Sequence, residues 1–117
     1  MPLLLVVNDP QLRAMIRKLL MTRFRLIEAE DAAGALAILG ELGGAAALVI
    51  SDYRLAGTNG AVLARQVKQR FPGLRVLLMS STASPRDCPF CDGILRKPFT
   101  PSDLDKAIRL QLEAPAH

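Results

Sequence analysis

The sequence is poor in the features that would tie it to a membrane, a nucleic acid or a zinc finger. Its longest run of large aliphatic residues is Leu3 to Val7, far short of the roughly 20 apolar residues that a membrane-spanning helix needs. No basic segment followed by a long apolar stretch precedes that run, so the expected location is the cytoplasm, with no membrane contact. Tryptophan is absent, and one tyrosine and four phenylalanines are the only aromatics. Fifteen Lys and Arg against 11 Asp and Glu give a net charge of +4. These cations are scattered over several helical faces and form no stripe interleaved with aromatics, so nucleic acid is not an expected partner. Histidine occurs once, at the terminal His117, which leaves Cys88 and Cys91 short of a tetrahedral zinc site. Repeats, low-complexity tracts and linkers are missing too. A chain of 117 residues, 50% of them apolar, makes a single domain, 1–117, with one proper core.

What is present is an alternation of short aliphatic runs with helical periods. Leu3 to Val7, broken by Asn8-Asp9-Pro10, reads as a strand buried on both faces. Leu12, Met15, Ile16, Leu19 and Leu20 then recur at the spacing of one helical face, with Asp9 placed to cap the helix and Pro10 at its first position. A strand over 25–28 leads to a helix capped near Asp31 and stopped by Gly43-Gly44. A central strand over 46–51 follows, and then a helix marked by Val62, Leu63 and Val67 that ends at Phe71-Pro72-Gly73. A strand over 74–79 closes in Ser80-Ser81-Thr82. The last pair is a strand over 93–96 and a helix from Pro101 to about Glu113, whose start, Thr100-Pro101-Ser102-Asp103, has the form of a capping box.

The chain is organised around Leu48-Val49-Ile50-Ser51-Asp52, where an aliphatic strand ends in a carboxylate and opens into a glycine-punctuated turn. Taken alone, Asp52 reads equally well as a turn cap. Five strands alternating with helices, however, give an α/β fold: a flavodoxin-like doubly wound five-stranded parallel sheet. Such sheets bind ligands outside the carboxyl ends of their strands. Asn8-Asp9, Asp52, Ser80 and Lys97 all fall at those ends, and four polar groups from four strands at one edge are hard to explain as four separate caps.

On these residues the sequence resembles the receiver domain of two-component response regulators, of the kind typified by the chemotaxis protein CheY. The resemblance rests on Ser51-Asp52 with Gly60 eight residues beyond, on the Ser80 hydroxyl after an aliphatic strand, and on Lys97-Pro98-Phe99 before the last helix. It implies strand order 2-1-3-4-5. It also implies that Asp52 accepts a phosphoryl group from a histidine kinase or histidine phosphotransfer protein, while Ser80 and Lys97 bind the phosphoryl oxygens. Magnesium, weakly bound, would be held by Asp9, Asp52 and the backbone carbonyl of Arg54, with Asn8 acting through a water molecule. The resemblance further implies a phosphoacceptor, not a classical enzyme. It would signal to a downstream protein that the sequence does not name, as a monomer or weak dimer. The chemistry agrees with the residue types, because a metal, an ammonium and a hydroxyl together neutralise charge developing on phosphoryl oxygens.

The sequence departs from that family at three places. Receivers carry two adjacent acidic residues after the first strand; here the pair is Asn8-Asp9 or, in an alignment that makes Asp9 only a cap, Val7-Asn8. Either way one carboxylate is missing. Between Ser80 and Lys97, where a full helix belongs, Ser84-Pro85-Arg86-Asp87-Cys88-Pro89-Phe90-Cys91-Asp92 has two prolines and no helical period. The fourth helix is therefore expected to be shortened or missing, as in the terminal receivers of some hybrid histidine kinases. Ile94 stands where an aromatic switch residue usually precedes the lysine. These departures favour a second reading, a pseudo-receiver that serves as a constitutive interaction module. A third, thiol-disulfide oxidoreductase, comes from Cys88-Pro89-Phe90-Cys91, but active pairs open a helix and this one precedes a strand, so the thiols read as structural or incidental.

Overall fold

The computed structural model describes residues 1–114; His117 lies outside them. The chain runs β1 (Leu3–Val6), α1 (Pro10–Leu20), β2 (Leu26–Ala29), α2 (Ala32–Glu41), β3 (Leu48–Asp52), β4 (Arg54–Leu55), β5 (Thr58–Asn59), α3 (Gly60–Arg70), β6 (Val76–Ser80), β7 (Gly93–Arg96) and α4 (Pro101–Glu113). Five parallel strands form one sheet in the order β2-β1-β3-β6-β7. With the antiparallel ribbon β4-β5 set aside, this is the expected order 2-1-3-4-5. No helix among the described residues is long and apolar enough to cross a membrane.

The continuous aliphatic runs become strands because helices cover both faces of the sheet and bury their aliphatic side chains. On one face Leu3, Leu5, Leu48, Ile50, Leu77 and Met79 meet Ile16 and Leu20 of α1 and Leu104 and Ile108 of α4. On the other, Leu4, Val6, Val49, Val76 and Leu78 meet Ala35 and Leu39 of α2 and Leu63, Ala64 and Val67 of α3. Each fully buried Leu or Ile contributes about 1.5–3 kcal/mol of transfer free energy. Met15, expected on the apolar face of α1, is 45% exposed, at the margin of that face.

Local chemistry sets the helix starts. Asp9, Asp31 and Asn59 cap α1, α2 and α3 by accepting from the amides of Gln11, Gly34 and Val62. Thr100 and Asp103 form the anticipated capping box of α4. Each cap stabilises its helix by about 1 kcal/mol.

The strand ends differ from the sequence expectation in an instructive way. β3 runs to Asp52 and β6 to Ser80, each one residue past the expected end, while β1 stops at Val6 and β2 spans Leu26–Ala29. Ladder pairing continues through a polar residue as long as the neighbouring strand is there, and Asp52 pairs with Met79 while Ser80 pairs with Arg96. The ribbon β4-β5 turns at Gly57, whose φ of 73° is open to glycine at little cost. Its two-residue strands are too short for any hydropathy period to reveal.

The fourth helix is missing, as the prolines of that segment imply. Turns replace it, closed by the hydrogen bonds Asp87 N to Ser84 O, Cys88 N to Pro85 O and Cys91 N to Cys88 O. Ala83 and Cys88 fill the core on the α2/α3 face in its place. Cys88 and Cys91 are joined by a disulfide, a structural role in place of the incidental thiols that the sequence also allowed.

Candidate functional site

Parallel register brings the polar ends of three strands together. Asp52 lies beside Met79, Ser80 beside Arg96, and Lys97 follows immediately, its amide donating to the Ser80 carbonyl at 3.0 Å. Asp52 is only 7% exposed. Its Oδ1 accepts from Lys97 Nζ at 2.6 Å and from the Tyr53 amide at 3.0 Å. A buried carboxylate without a partner would be strongly disfavoured; the ammonium from a residue 45 positions away compensates it.

Ser80 is 3% exposed, and its Oγ accepts from the amides of Thr82 at 3.2 Å and Ala83 at 2.9 Å. A hydroxyl has two acceptor lone pairs and one proton. With both lone pairs engaged by the following turn, the proton is left to donate away from it. The turn cap and the site role considered for Ser80 are thus compatible.

Gly60 shows why a side chain is excluded behind Asp52. A Cβ there would lie 2.5 Å from the Asp52 carbonyl oxygen and 2.5 Å from Leu78 Cδ1. The Gly60 amide instead donates to the Tyr53 carbonyl at 2.7 Å, which closes the β4-β5 ribbon against the strand that delivers Asp52. Arg54 sits in β4, exposed, two residues past Asp52.

The β1 corner is built differently. Asn8 and Asp9 are both exposed. Asp9 Oδ1 accepts from the Gln11 amide at 2.9 Å as the α1 cap, and Asn8 Nδ2 donates to the Glu30 carbonyl at 3.4 Å. Val7 is fully buried in the α1/α4 core, so Asn8 and Asp9 are the polar side chains that β1 delivers to the edge. Beside them Arg13 donates to the Val7 carbonyl at 2.9 Å and pairs with Glu28 at 3.5 Å and Glu30 at 3.6 Å. Arg17 also grips Glu28, through hydrogen bonds of 2.8 and 2.7 Å. That hydrogen bonding holds the Glu28 carboxyl below its ordinary range, against the opposing effect of burial. Among the described residues no three His, Cys, Asp or Glu side chains gather as a metal cage.

The structure therefore brings Asp52 and Lys97 into direct contact, with Ser80 tied to the backbone at Lys97, and leaves Asn8, Asp9 and Arg54 on the rim. Sequence reasoning missed the amides of Tyr53, Thr82 and Ala83, which hold Asp52 and Ser80. Backbone donors carry no residue signature, so nothing in the sequence could mark them. It also missed Arg13, whose signal was only a cation one turn into α1.

Comparison with known proteins agrees with the fold. The profile described as the response regulator receiver domain matches residues 3–109. The chain is 35% identical over 113 residues to ARR21 of Arabidopsis thaliana, named as a two-component response regulator, covering 92% of this chain and 18% of that protein. It is 30% identical over 105 residues to the sensor kinase CckA of Brucella abortus, covering 84% of this chain and 11% of the kinase. The chain thus spans less than a fifth of the length of these curated relatives. Among solved structures, the receiver domain of the hybrid histidine kinase CckA superposes with a TM-score of 0.82 at 25% identity, covering 97% of this chain and all of that one.

Proposed function

The chain belongs to the response regulator receiver domain family, and from that premise we propose that Asp52 accepts a phosphoryl group from a phosphohistidine. Members of this family are phosphoacceptor signalling domains of two-component relays, not classical enzymes. The donor for this chain is a histidine kinase or a histidine phosphotransfer protein, and the phosphorylated form signals through contact with a further protein.

The observation that carries the reading is Asp52 Oδ1 held by Lys97 Nζ at 2.6 Å at the polar end of a buried strand. With Oδ1 held by Lys97 and the Tyr53 amide, Oδ2 is the oxygen that attacks phosphorus. The phosphorus–nitrogen bond to the donor histidine breaks, and its electron pair stays on the imidazole, which takes up a proton. Lys97 then shares its charge with a phosphoryl oxygen, and the unused Ser80 proton donates to another. Fixed donors aimed at oxygens where charge develops are the main catalytic contribution available in phosphoryl transfer.

Magnesium suits a site of one or two carboxylates completed by phosphate oxygens and water. Asp52 and Asp9, whose capping bond uses Oδ1, fit that limited donor set, with the Arg54 carbonyl and, through water, Asn8 beside them. When bound, the metal neutralises charge on the phosphoryl oxygens. One carboxylate fewer than the family pattern makes the binding weak.

Labelling with a small phosphodonor such as acetyl phosphate tests the assignment. The chain should acquire an acid-stable, base-labile phosphoryl group that Asp52→Asn abolishes. Persistent labelling of a folded Asp52→Asn variant would sink it.

A further inference from the structure

The missing fourth helix leaves a groove of about 350 Å³ beside the edge strand β7, with Pro85, Cys88, Cys91, Ile94 and Arg96 among its walls. From this placement we infer that the Cys88–Cys91 disulfide is a reversible thiol-exchange site, reached through the groove by small thiols that carry carboxylates. This goes beyond the phosphoacceptor reading and does not depend on it.

The two sulfurs are not equivalent. Cys88 is 2% exposed and belongs to the core on the α2/α3 face, whereas Cys91 is half-buried. An incoming thiolate therefore reaches Cys91. Its sulfur bonds to Cys91 Sγ, the bond to Cys88 breaks, and Cys88 leaves as a thiolate that takes a proton. A second small thiol attacks the mixed disulfide at the sulfur of the first, and the pair departs as an oxidised dimer. Two thiols lose two electrons, and the protein gains two electrons and two protons as Cys88 and Cys91 thiols. The disulfide is thus a substrate of exchange and not a catalyst, consistent with its place ahead of a strand instead of at a helix start.

Charge selects the class of thiol. The Arg96 side chain is exposed and has no hydrogen-bond or ion-pair partner among the described residues, and Arg86 is exposed on the adjoining turn. Of the two acidic groups nearby, Asp92 is neutralised by Lys68, which leaves the exposed Asp87 against two arginines. Asp92 Oδ2 accepts from Lys68 Nζ at 2.6 Å and from the Val76 amide at 2.8 Å, and Asp87 Oδ2 accepts from the Ser84 amide at 2.7 Å. The groove accordingly attracts anions.

The consequence of reduction follows from how the segment is tethered. Ala83 N to Ser80 Oγ holds one end, and the Asp92 carboxylate clamp holds the other. Between them the described bonds are local turns, of which Cys91 N to Cys88 O at 3.2 Å lies within the disulfide ring. Opening the ring frees that turn, which lies on the connection from Ser80 to Lys97.

The test uses the oxidised full chain, treated with glutathione or with neutral 2-mercaptoethanol at matched thiolate concentration. Thiols that appear are trapped with iodoacetamide and counted by mass spectrometry. Glutathione should open the disulfide several-fold faster, oxidised glutathione should close it again, and Arg96→Glu should abolish the preference. High salt should shrink it. Equal rates for the two thiols in both proteins, or a disulfide that glutathione leaves intact, would overturn the inference. Thiol exchange is read with no phosphodonor present, so a failure here is distinguishable from a failure of the phosphoacceptor reading. Hydrogen exchange at the Cys91 amide should quicken several-fold on reduction; unchanged protection would overturn the proposed release of the turn.

Discussion

The two halves of the sheet's polar edge are built by different rules. On the β3-β6-β7 side, Asp52 and Ser80 are buried, and the charge of Asp52 is answered by Lys97 from a distant strand end. On the β1 side, Asn8 and Asp9 are exposed; Asn8 donates to the Glu30 carbonyl and Asp9 accepts from the start of its own helix. Long-range burial leaves the first half intolerant of change. Exposure leaves the second half more tolerant of change, and the missing carboxylate is on that side.

The sharpest way to break this contrast is to remove one cation from each half. Lys97→Ala leaves Asp52 buried without its ammonium, and the initial rate of labelling by a phosphodonor should fall by roughly 10²-fold, the scale of losing one preorganised charge donor. Arg13→Ala, beside β1, should leave that rate within a factor of about two, because Arg13 pairs with Glu28, Glu30 and the Val7 carbonyl and not with Asp52. Equal losses in the two variants would show that the halves act as one unit.

A smaller effect is expected behind Asp52. Gly60→Ala forces a Cβ to 2.5 Å from a backbone carbonyl and a buried leucine, so denaturant unfolding should report a loss of about 1–3 kcal/mol. Gly73→Ala, where a Cβ meets nothing within 4 Å, is the matched control and should be nearly neutral.

Restoring the β1 half should have a more modest result. Asn8→Asp should tighten magnesium by about tenfold, well inside the ~4 kcal/mol available to a unit charge at 4 Å and an effective dielectric near 20. Isothermal titration at low and high salt would check it, since the gain should shrink with screening. Asp9→Ala should abolish the residual affinity and also loosen α1 by about 1 kcal/mol through loss of the cap. Affinity unaffected by either change would place the metal elsewhere.

The smallest effect is set by pH and lies away from the site. The Thr100 amide, and then its hydroxyl, hold the Asp103 carboxyl below its ordinary value of 3.8. A depressed folded-state value means that the stabilisation is complete above the unfolded value and is lost as pH falls through the folded one. The start of α4 should therefore be insensitive to pH near neutrality and fray only below about pH 4. NMR of the Thr100 and Asp103 amides would follow it, and Asp103→Asn should flatten the profile.

Much of this arrangement was legible in the residue order. β7 and α4 fall where Gly93, Pro101 and the Thr100–Asp103 box place them, since turn and cap residues act within a few positions of themselves. The loss of the fourth helix follows from Pro85 and Pro89, because a missing amide and a ring clash need no tertiary context. The aliphatic runs specified a doubly covered sheet for the same local reason. Where β3 and β6 end was decided by neighbouring strands, which carry pairing through Asp52 and Ser80 after the apolar pattern has stopped. Only the folded chain could unite Asp52 with Lys97, turn the lone pairs of Ser80 toward two amides, and leave Asp9 as a cap at the rim. Those outcomes depend on strand register and on backbone donors, and neither is encoded by the identity of any one side chain.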